Sequence, residues 1–542
     1  MKSHVQLKLL AASLLLAFSA SAAASDFSTS TPPVTASNYD VSSLQNDKTY
    51  SGIIITYKDG STERSNASAA IQNVGVAVTR AKRALNAGGA SFNASSNKTV
   101  SVHYARKLAA GADLVRTARP LTSVEASALI KQIAADPSVA FVEPEFMLQA
   151  VDTVAPADAA TFVTPDDPYY GKYQWDYLTA VGDNFFDSSL NANVANWGGA
   201  NIQNAWSLAD GTGVVIASLD TGVTQHPDLD LSLADDGYDF ISTASVSGRS
   251  SDGRVSGGWD TGDWVTAGQC GVNKPAKNSS WHGTHVFGTA GGELTNNTAG
   301  MAGTAFNAQV LPVRVLGHCG GSNADIADAI TWASGGTVSG VPANTHPAKV
   351  ISLSLGGAGT CSSTSVLGKA ITGAIGRGAA VIVAAGNDNA NVSGFSPASC
   401  AGVVAVAATG ISSTRAYYSN YGAGITLAAP GGGVYKNDAS SGTQVNTGFI
   451  WSTINAGTTT PTTATYGGMA GTSQATPHVA GVVALMQSYR LALGKALLSS
   501  AQVTSVLKST AAAPHVAAST SKPIGAGLLD AYNAVQTAGS QP

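Results

Sequence analysis

Five short segments, "GVVIASL" (213–219), "AQVLPVRVL" (308–316), "AKVISLSL" (348–355), "AAVIVAA" (379–385) and "GVVAVAA" (402–408), are apolar along nearly their whole length. A strand with one wetted face alternates apolar and polar residues, whereas one covered on both faces does not. Between these segments, "NADIADAITWA" (323–333) and "SVLGKAITGAIG" (365–376) repeat their apolar residues with a helical period. Strands alternating with helices predict an α/β domain built on a mostly parallel sheet, with its functional groups at the carboxyl ends of the strands.

A different pattern precedes this region. "GIIITY" (52–57), a helical run around 75–86, "TVSVHY" (99–104), a helix from about Ser123 and "VAFV" (139–142) read as a small α+β domain of about 48–148. Thr122 and Glu125 form a capping-box pair at that second helix, with Leu129, Ile130 and Ile133 on one face. "VDTVAPADAATFVTP" (151–165) has no periodicity and reads as a linker over 151–166, leaving 167–540 to the larger domain. At the N-terminus, Lys2 and Lys8 precede an apolar run and small residues that offer cleavage after Ala22 or Ala24. That is the form of a signal peptide over 1–24 and predicts a secreted, extracellular protein; no later stretch is apolar enough for a membrane span.

In an oxidising compartment the four cysteines favour disulfides, and the pairing that crosses no loops is Cys270 with Cys319 and Cys361 with Cys400; buried free thiols are the alternative. Residues 1–150 carry 14 Lys+Arg against 10 Asp+Glu, and residues from 151 onward carry 15 against 23. An acidic body argues against nucleic acid as a partner. Nothing in the sequence indicates an oligomer, so a monomer is expected.

The chemistry-bearing residues follow the strands. Asp220 ends one in "SLDTGVTQHPDL", His282 and His285 lie in "SSWHGTHVFGTAGG", Asn387 follows another in "AAGNDNA", and Ser473 opens the helical run of "GTSQATPHVAG". A serine at a helix start has an unpaired N–H and the positive end of the helix dipole beside it, which suits an oxyanion. Pro477 is tolerable there only if the helix starts near the serine. His478 is five residues on, some 140° around the helix, so the proton acceptor must come from another segment and His478 reads as a core residue. The H-x-x-H pair lacks a third ligand for zinc, and one histidine as base with the other as packing is the stronger reading. A second D-T-G at Asp260–Gly262 raises an aspartic-protease reading, but it lies only 40 residues after the first and does not follow a buried strand.

"DTGV", "HGTHVFGT", "AAGN" and "GTSQATPHVAG", in that order over about 167–535, resemble the subtilisin-like serine proteases. The resemblance implies a three-layer α/β catalytic domain behind a ferredoxin-like propeptide, the latter within 25–150. It implies a secreted, self-processing serine endopeptidase acting on proteins and peptides through an Asp220–His282–Ser473 triad, with Asn387 in the oxyanion hole and the propeptide as inhibitor. A catalytically inactive, protein-binding relative is the rival reading. Ser354, Leu355, Gly356 and the 384–386 segment are expected to pair with substrate backbone, and Gly386 and Phe395 to line the primary specificity pocket. The tail of the propeptide, "VAFVEPEF", is expected to enter the cleft, and cleavage near 150–166 to leave an enzyme starting close to "DDPYY". A structural Ca²⁺ is implied at Asp167, Asp228 and Asn297 with carbonyls of Leu294, Ala299 and Met301. Asp260 and Asp263 are candidates for a second ion. Two departures stand out: Gln474 where the family usually has methionine, and the long Gly/Ser-rich stretch of 241–264 between Asp220 and His282.

Overall fold

The computed structural model describes residues 37–87, 100–150, 153–155 and 165–542. The expected signal peptide and most of the expected linker lie outside these residues. Asn38–Pro542 form one unit.

The five apolar segments become the strands Val215–Asp220, Gln309–Arg314, Val350–Leu353, Ala380–Ala384 and Val404–Thr409. They are contiguous and mutually parallel in an eight-stranded sheet. Leu427–Pro430 extends it in parallel at one edge, while Tyr238–Asp239 and the antiparallel Val255–Ser256 extend it at the other. Alternate residues point to opposite faces, and both faces are apolar. Ile216, Val310, Val350 and Ile382 pack with Val479 and Val483 of the helix Thr472–Ala492 on one side. Ala217, Leu311, Ile351 and Val381 pack with Ile326 and Ile330 of Asn323–Ala333 and Ile371 of Val366–Gly376 on the other. This is the expected three-layer arrangement, and it explains why the strands show no polar alternation.

The described residues within 49–144 form a four-stranded antiparallel sheet with two longer helices, in the chain order strand, helix, two strands, helix, strand. The strand Asp113–Thr122 is absent from the sequence reading; its Arg116, Arg119 and Pro120 break the apolar pattern, yet it pairs with Thr49–Tyr57. The capping box of Thr122 and Glu125 opens Ser123–Ala134 as expected. This leader sits on the starts of the two body helices. The Val366 N–H donates to Glu143 Oε1 (2.7 Å), and Arg106 pairs with Asp325 (2.9 Å) and Asp328. Both expected disulfides are present, Cys270–Cys319 and Cys361–Cys400.

Candidate active site

Asp220 is the last residue of its strand, and its carboxylate Oδ1 lies 2.7 Å from His282 Nδ1. The Thr221 N–H also donates to that oxygen (2.8 Å). An acceptor at Nδ1 fixes the proton there and leaves Nε2 as the basic nitrogen. His282 opens the short helix His282–Phe287, which packs against Asp220's strand. His285 faces another way: its Nε2 bonds the Ile450 carbonyl (3.1 Å), and burial pushes its pKa down to about 3. It is a neutral packing residue, as the sequence suggested.

Ser473 is the second residue of Thr472–Ala492, and its hydroxyl donates to the Ser354 carbonyl (2.9 Å). The helix starts beside the serine, as expected, and Pro477 lies just past its first turn. The carbonyl it leaves without a helical donor is that of Ser473, and Ser354 Oγ supplies the missing donor at 2.7 Å. Ser354 therefore holds the serine by both its hydroxyl and its carbonyl. His478 is fully buried against Asp176 Oδ2 (2.7 Å) and the Gln474 carbonyl (2.8 Å). Asn387 follows the strand Ala380–Ala384; its Oδ1 accepts from the Thr472 N–H (2.9 Å) and hydroxyl (2.8 Å), so the amide's NH₂ is its donor end.

A stretch of the leader lies in the cleft. Met147–Ala150 pairs antiparallel with Leu355–Ala358 on one side (Ala150 opposite Leu355, Gln149 opposite Gly356) and with Gly321–Ser322 on the other. Thr153–Ala155 then pairs with Gly468–Ala470, immediately before Ser473's helix. Two details differ from the sequence reading. "VAFVEP" stays in the leader's own sheet, and the inserted strand is the "MLQA" that follows it. Its second edge is Gly321–Ser322, not 384–386. Isolated from its partners, "MLQA" carries no strand signal, because the body supplies the pairing. With the leader docked, Ser473 and His282 are 0% exposed and Asp220 1%.

Gly386 and Phe395 are in contact: a methyl group on Gly386 (φ +101°) or on Gly356 would run into the Phe395 ring. Phe395 and Gly356 also line a cavity of about 300 Å³ with Met147 and Gln149.

Of the implied calcium ligands, Asp167 and Asp228 are fully buried and joined through the 294–301 loop. Asp228 accepts from Asn297 Nδ2 (2.8 Å), the Met301 N–H (3.0 Å) and Tyr466 (3.2 Å). The Leu294 N–H bonds the Asp228 carbonyl, and the Ala299 N–H bonds Asn297 Oδ1. Asp167 Oδ1 is buried with no hydrogen-bond donor. Burial pushes both carboxyls up, Asp228 to about 7, with the Asp167 charge adding to the rise at Asp228 and the Asp166 charge to that at Asp167. Two buried carboxylates, one with an oxygen that accepts no hydrogen bond, suit a hard cation.

Asp260 and Asp263 do not form such a pocket. All four of their carboxylate oxygens accept from protein donors: Thr221 Oγ1 and the Gly262 N–H at Asp260, Ser280 Oγ and its N–H at Asp263. Thr221 stands between Asp260 and Asp220, bonding both, so among the described residues the two D-T-G motifs do not make a carboxylate pair.

The subtilase family profile matches residues 211–530. An extracellular protease of Xanthomonas campestris pv. campestris is 44% identical over 93% of this chain and 76% of its own length. An extracellular basic protease of Dichelobacter nodosus is 36% identical over 80% of this chain and 64% of its own length. Among solved structures, a protease from Pseudoalteromonas arctica PAMC 21717 matches with a TM-score of 0.60 and 45% identity, covering 69% of this chain and all of that one. Fervidolysin from Fervidobacterium pennivorans, 22% identical with a TM-score of 0.55, shares the fold over 92% of this chain and 62% of its own. Among the described residues no helix is long and apolar enough to cross a membrane. The chain belongs to the subtilase family and is a serine endopeptidase of the subtilisin-like type.

Proposed function

We propose that Ser473, His282 and Asp220 form the triad of an exported, self-processing protease, with Asn387 in its oxyanion hole. The observation that carries this reading is the docked "MLQA" strand: the chain's own backbone lies as a substrate would, along Leu355–Ala358, ending beside the Ser354 carbonyl that accepts from Ser473. His282 Nε2 takes the Ser473 proton as Oγ attacks the carbonyl. Asp220 holds the Nδ1 proton and stabilises the imidazolium, and His282 then protonates the leaving amine. The Ser473 N–H and the Asn387 amide face the developing oxyanion. Loss of one such donor costs roughly 10²–10³ in rate, a range that itself comes from subtilisin.

The same pairing supports residues 25–150 as a propeptide that blocks the cleft until it is cut. We take the cut to be at Val151–Asp152, the two residues between the Ala150–Leu355 and Thr153–Ala470 pairs. Export through residues 1–24 is supported by the extracellular relatives. A bound Ca²⁺ at Asp167, Asp228, Asn297 and the carbonyls of Leu294, Ala299 and Met301 would supply charge neutralisation for the two buried carboxylates. Thermal unfolding with calcium or with chelator tests this: calcium is expected to raise Tm in the wild type and to have no effect in Asp228→Asn. A sulfonylating serine probe tests the central assignment. Labelling of Ser473 in the mature wild type is expected, with neither label nor peptidase activity in Ser473→Ala. An unlabelled Ser473 would leave a protein-binding relative.

A further inference from the structure

The second D-T-G motif and the 241–264 stretch have no part in the triad, yet both end beside His282. The imidazole hangs from a backbone whose two nearest N–H groups are bonded outside the helix. The His282 N–H donates to Ser280 Oγ (3.3 Å), and the Gly283 N–H donates to Thr221 Oγ1 (2.9 Å). A hydroxyl can turn, so by itself it is a loose anchor. Here each one donates its own proton to a carboxylate: Ser280 Oγ to Asp263 Oδ2 (2.9 Å), and Thr221 Oγ1 to Asp260 Oδ2 (2.5 Å). With the proton so directed, a lone pair is turned to each backbone N–H.

The carboxylates are themselves fixed. Asp263 Oδ1 accepts from the Ser280 N–H (2.6 Å), and Asp260 Oδ1 accepts from the Gly262 N–H (2.8 Å). Fully buried Arg314 ties the two sides together, donating to the Thr221 carbonyl (3.1 Å) and the Gly262 carbonyl (3.3 Å). Thr221 also bonds Asp220 Oδ1 through its N–H (2.8 Å). The acid and the base of the dyad are thereby referred to one frame.

We propose that Asp260 and Asp263 are positioning residues for His282, acting through the Thr221 and Ser280 hydroxyls respectively. This rests on the reading of His282 as the general base. A shift of the imidazole by about 1 Å costs on the order of 10²-fold in rate, so the signature is a fall in kcat with KM little changed.

The experiment compares Thr221→Val, Thr221→Ser, Ser280→Ala, Ser280→Thr, Asp263→Asn and the Ser280→Ala/Asp263→Asn double variant. All are full-length proteins allowed to mature, with rates given per site labelled by a sulfonylating probe. Thr221→Val and Ser280→Ala are expected to lower kcat by about 10- to 100-fold with KM within about twofold. Thr221→Ser and Ser280→Thr, which restore a hydroxyl, are expected to recover most of that loss. The double variant is expected to be no worse than its poorer single, since one relay is lost either way. Ser280 is half-buried, so its variants keep the test open if the Thr221 set fails to fold. An unchanged kcat per labelled site, hydroxyl variants as impaired as Val and Ala, or losses that multiply in the double variant would overturn the proposal. A wild type that takes no label at Ser473 would instead overturn the triad reading beneath it.

Discussion

Leu148 is the buried anchor of the leader strand that lies in the cleft. It is 0% exposed and packs in the apolar cluster that holds Leu355 and Phe395, whereas its neighbour Gln149 is exposed. Leu148→Ala removes three carbons. If water or neighbouring groups refill the space, the loss is the transfer term alone, about 0.8 kcal/mol per carbon or roughly 2.4 kcal/mol in all. If the walls stay fixed, a cavity term adds to it and the loss reaches about 5 kcal/mol. At 1.4 kcal/mol per tenfold, the leader should bind the mature enzyme about 50- to 4,000-fold more weakly. The assay is inhibition of peptide hydrolysis by leader added back after processing, for wild type, Leu148→Ala and Gln149→Ala. The leucine variant is expected to lose far more affinity than Gln149→Ala, whose exposed amide gives up one hydrogen bond to the Cys319 carbonyl. A change below about threefold for Leu148→Ala, or equal losses for both variants, would refute the view that this strand is held as a substrate is.

Two further predictions follow from the interface and the cleft walls. Burial between leader and body pushes the Glu143 carboxyl up to about 8, so docking takes up a proton at any pH between its ordinary value near 4.5 and about 8. This contribution is fully present below the ordinary value and is lost as pH rises through 8, weakening docking about tenfold per pH unit, and Glu143→Gln should flatten that part of a binding–pH profile. The Cys361–Cys400 bridge ties Phe395–Ser396 to the end of Leu355–Ala358, and its loop spans 39 residues. By loop-closure entropy it contributes about 4 kcal/mol, so Cys361→Ala/Cys400→Ala should lower Tm by roughly 5–10 °C and raise KM more than it lowers kcat.

What could be read from the sequence was what the chain encodes locally. Strands buried on both faces announced themselves as unbroken Val/Ile/Ala runs, and Asp220, His282, Asn387 and Ser473 stood just after strands or at a helix start. The cysteine pairing followed from crossing no loops. Elements whose stability comes from a distant partner stayed hidden. Met147–Ala150 is a strand only between Gly321–Ser322 and Leu355–Ala358, and Asp113–Thr122 carries charges because each meets an opposite charge elsewhere in the leader, Asp113 with Lys107, Arg116 with Glu145 and Arg119 with Glu125. The hairpin of Ile450–Asn455 and Ala464–Ala470, which supports Thr153–Ala155, has the Gly467–Gly468 pair in its second strand, a poor strand signal. Asp260 and Asp263 were legible as a motif but not as neighbours of His282, because nothing local to "DTGD" states that a loop returns them to residues 280–283. Pro477 likewise depends on Ser354, 123 residues earlier in the chain.

All of this turns on Ser473 cutting a peptide bond that the fold itself delivers to it. Intact mass and N-terminal sequencing of the wild type beside Ser473→Ala measure that directly. A first new N-terminus at Asp152 in the wild type, and an uncut Ala150–Thr153 stretch in the variant, are the predicted results. Cleavage of that stretch to the same extent in Ser473→Ala purified from a protease-free host would contradict the account.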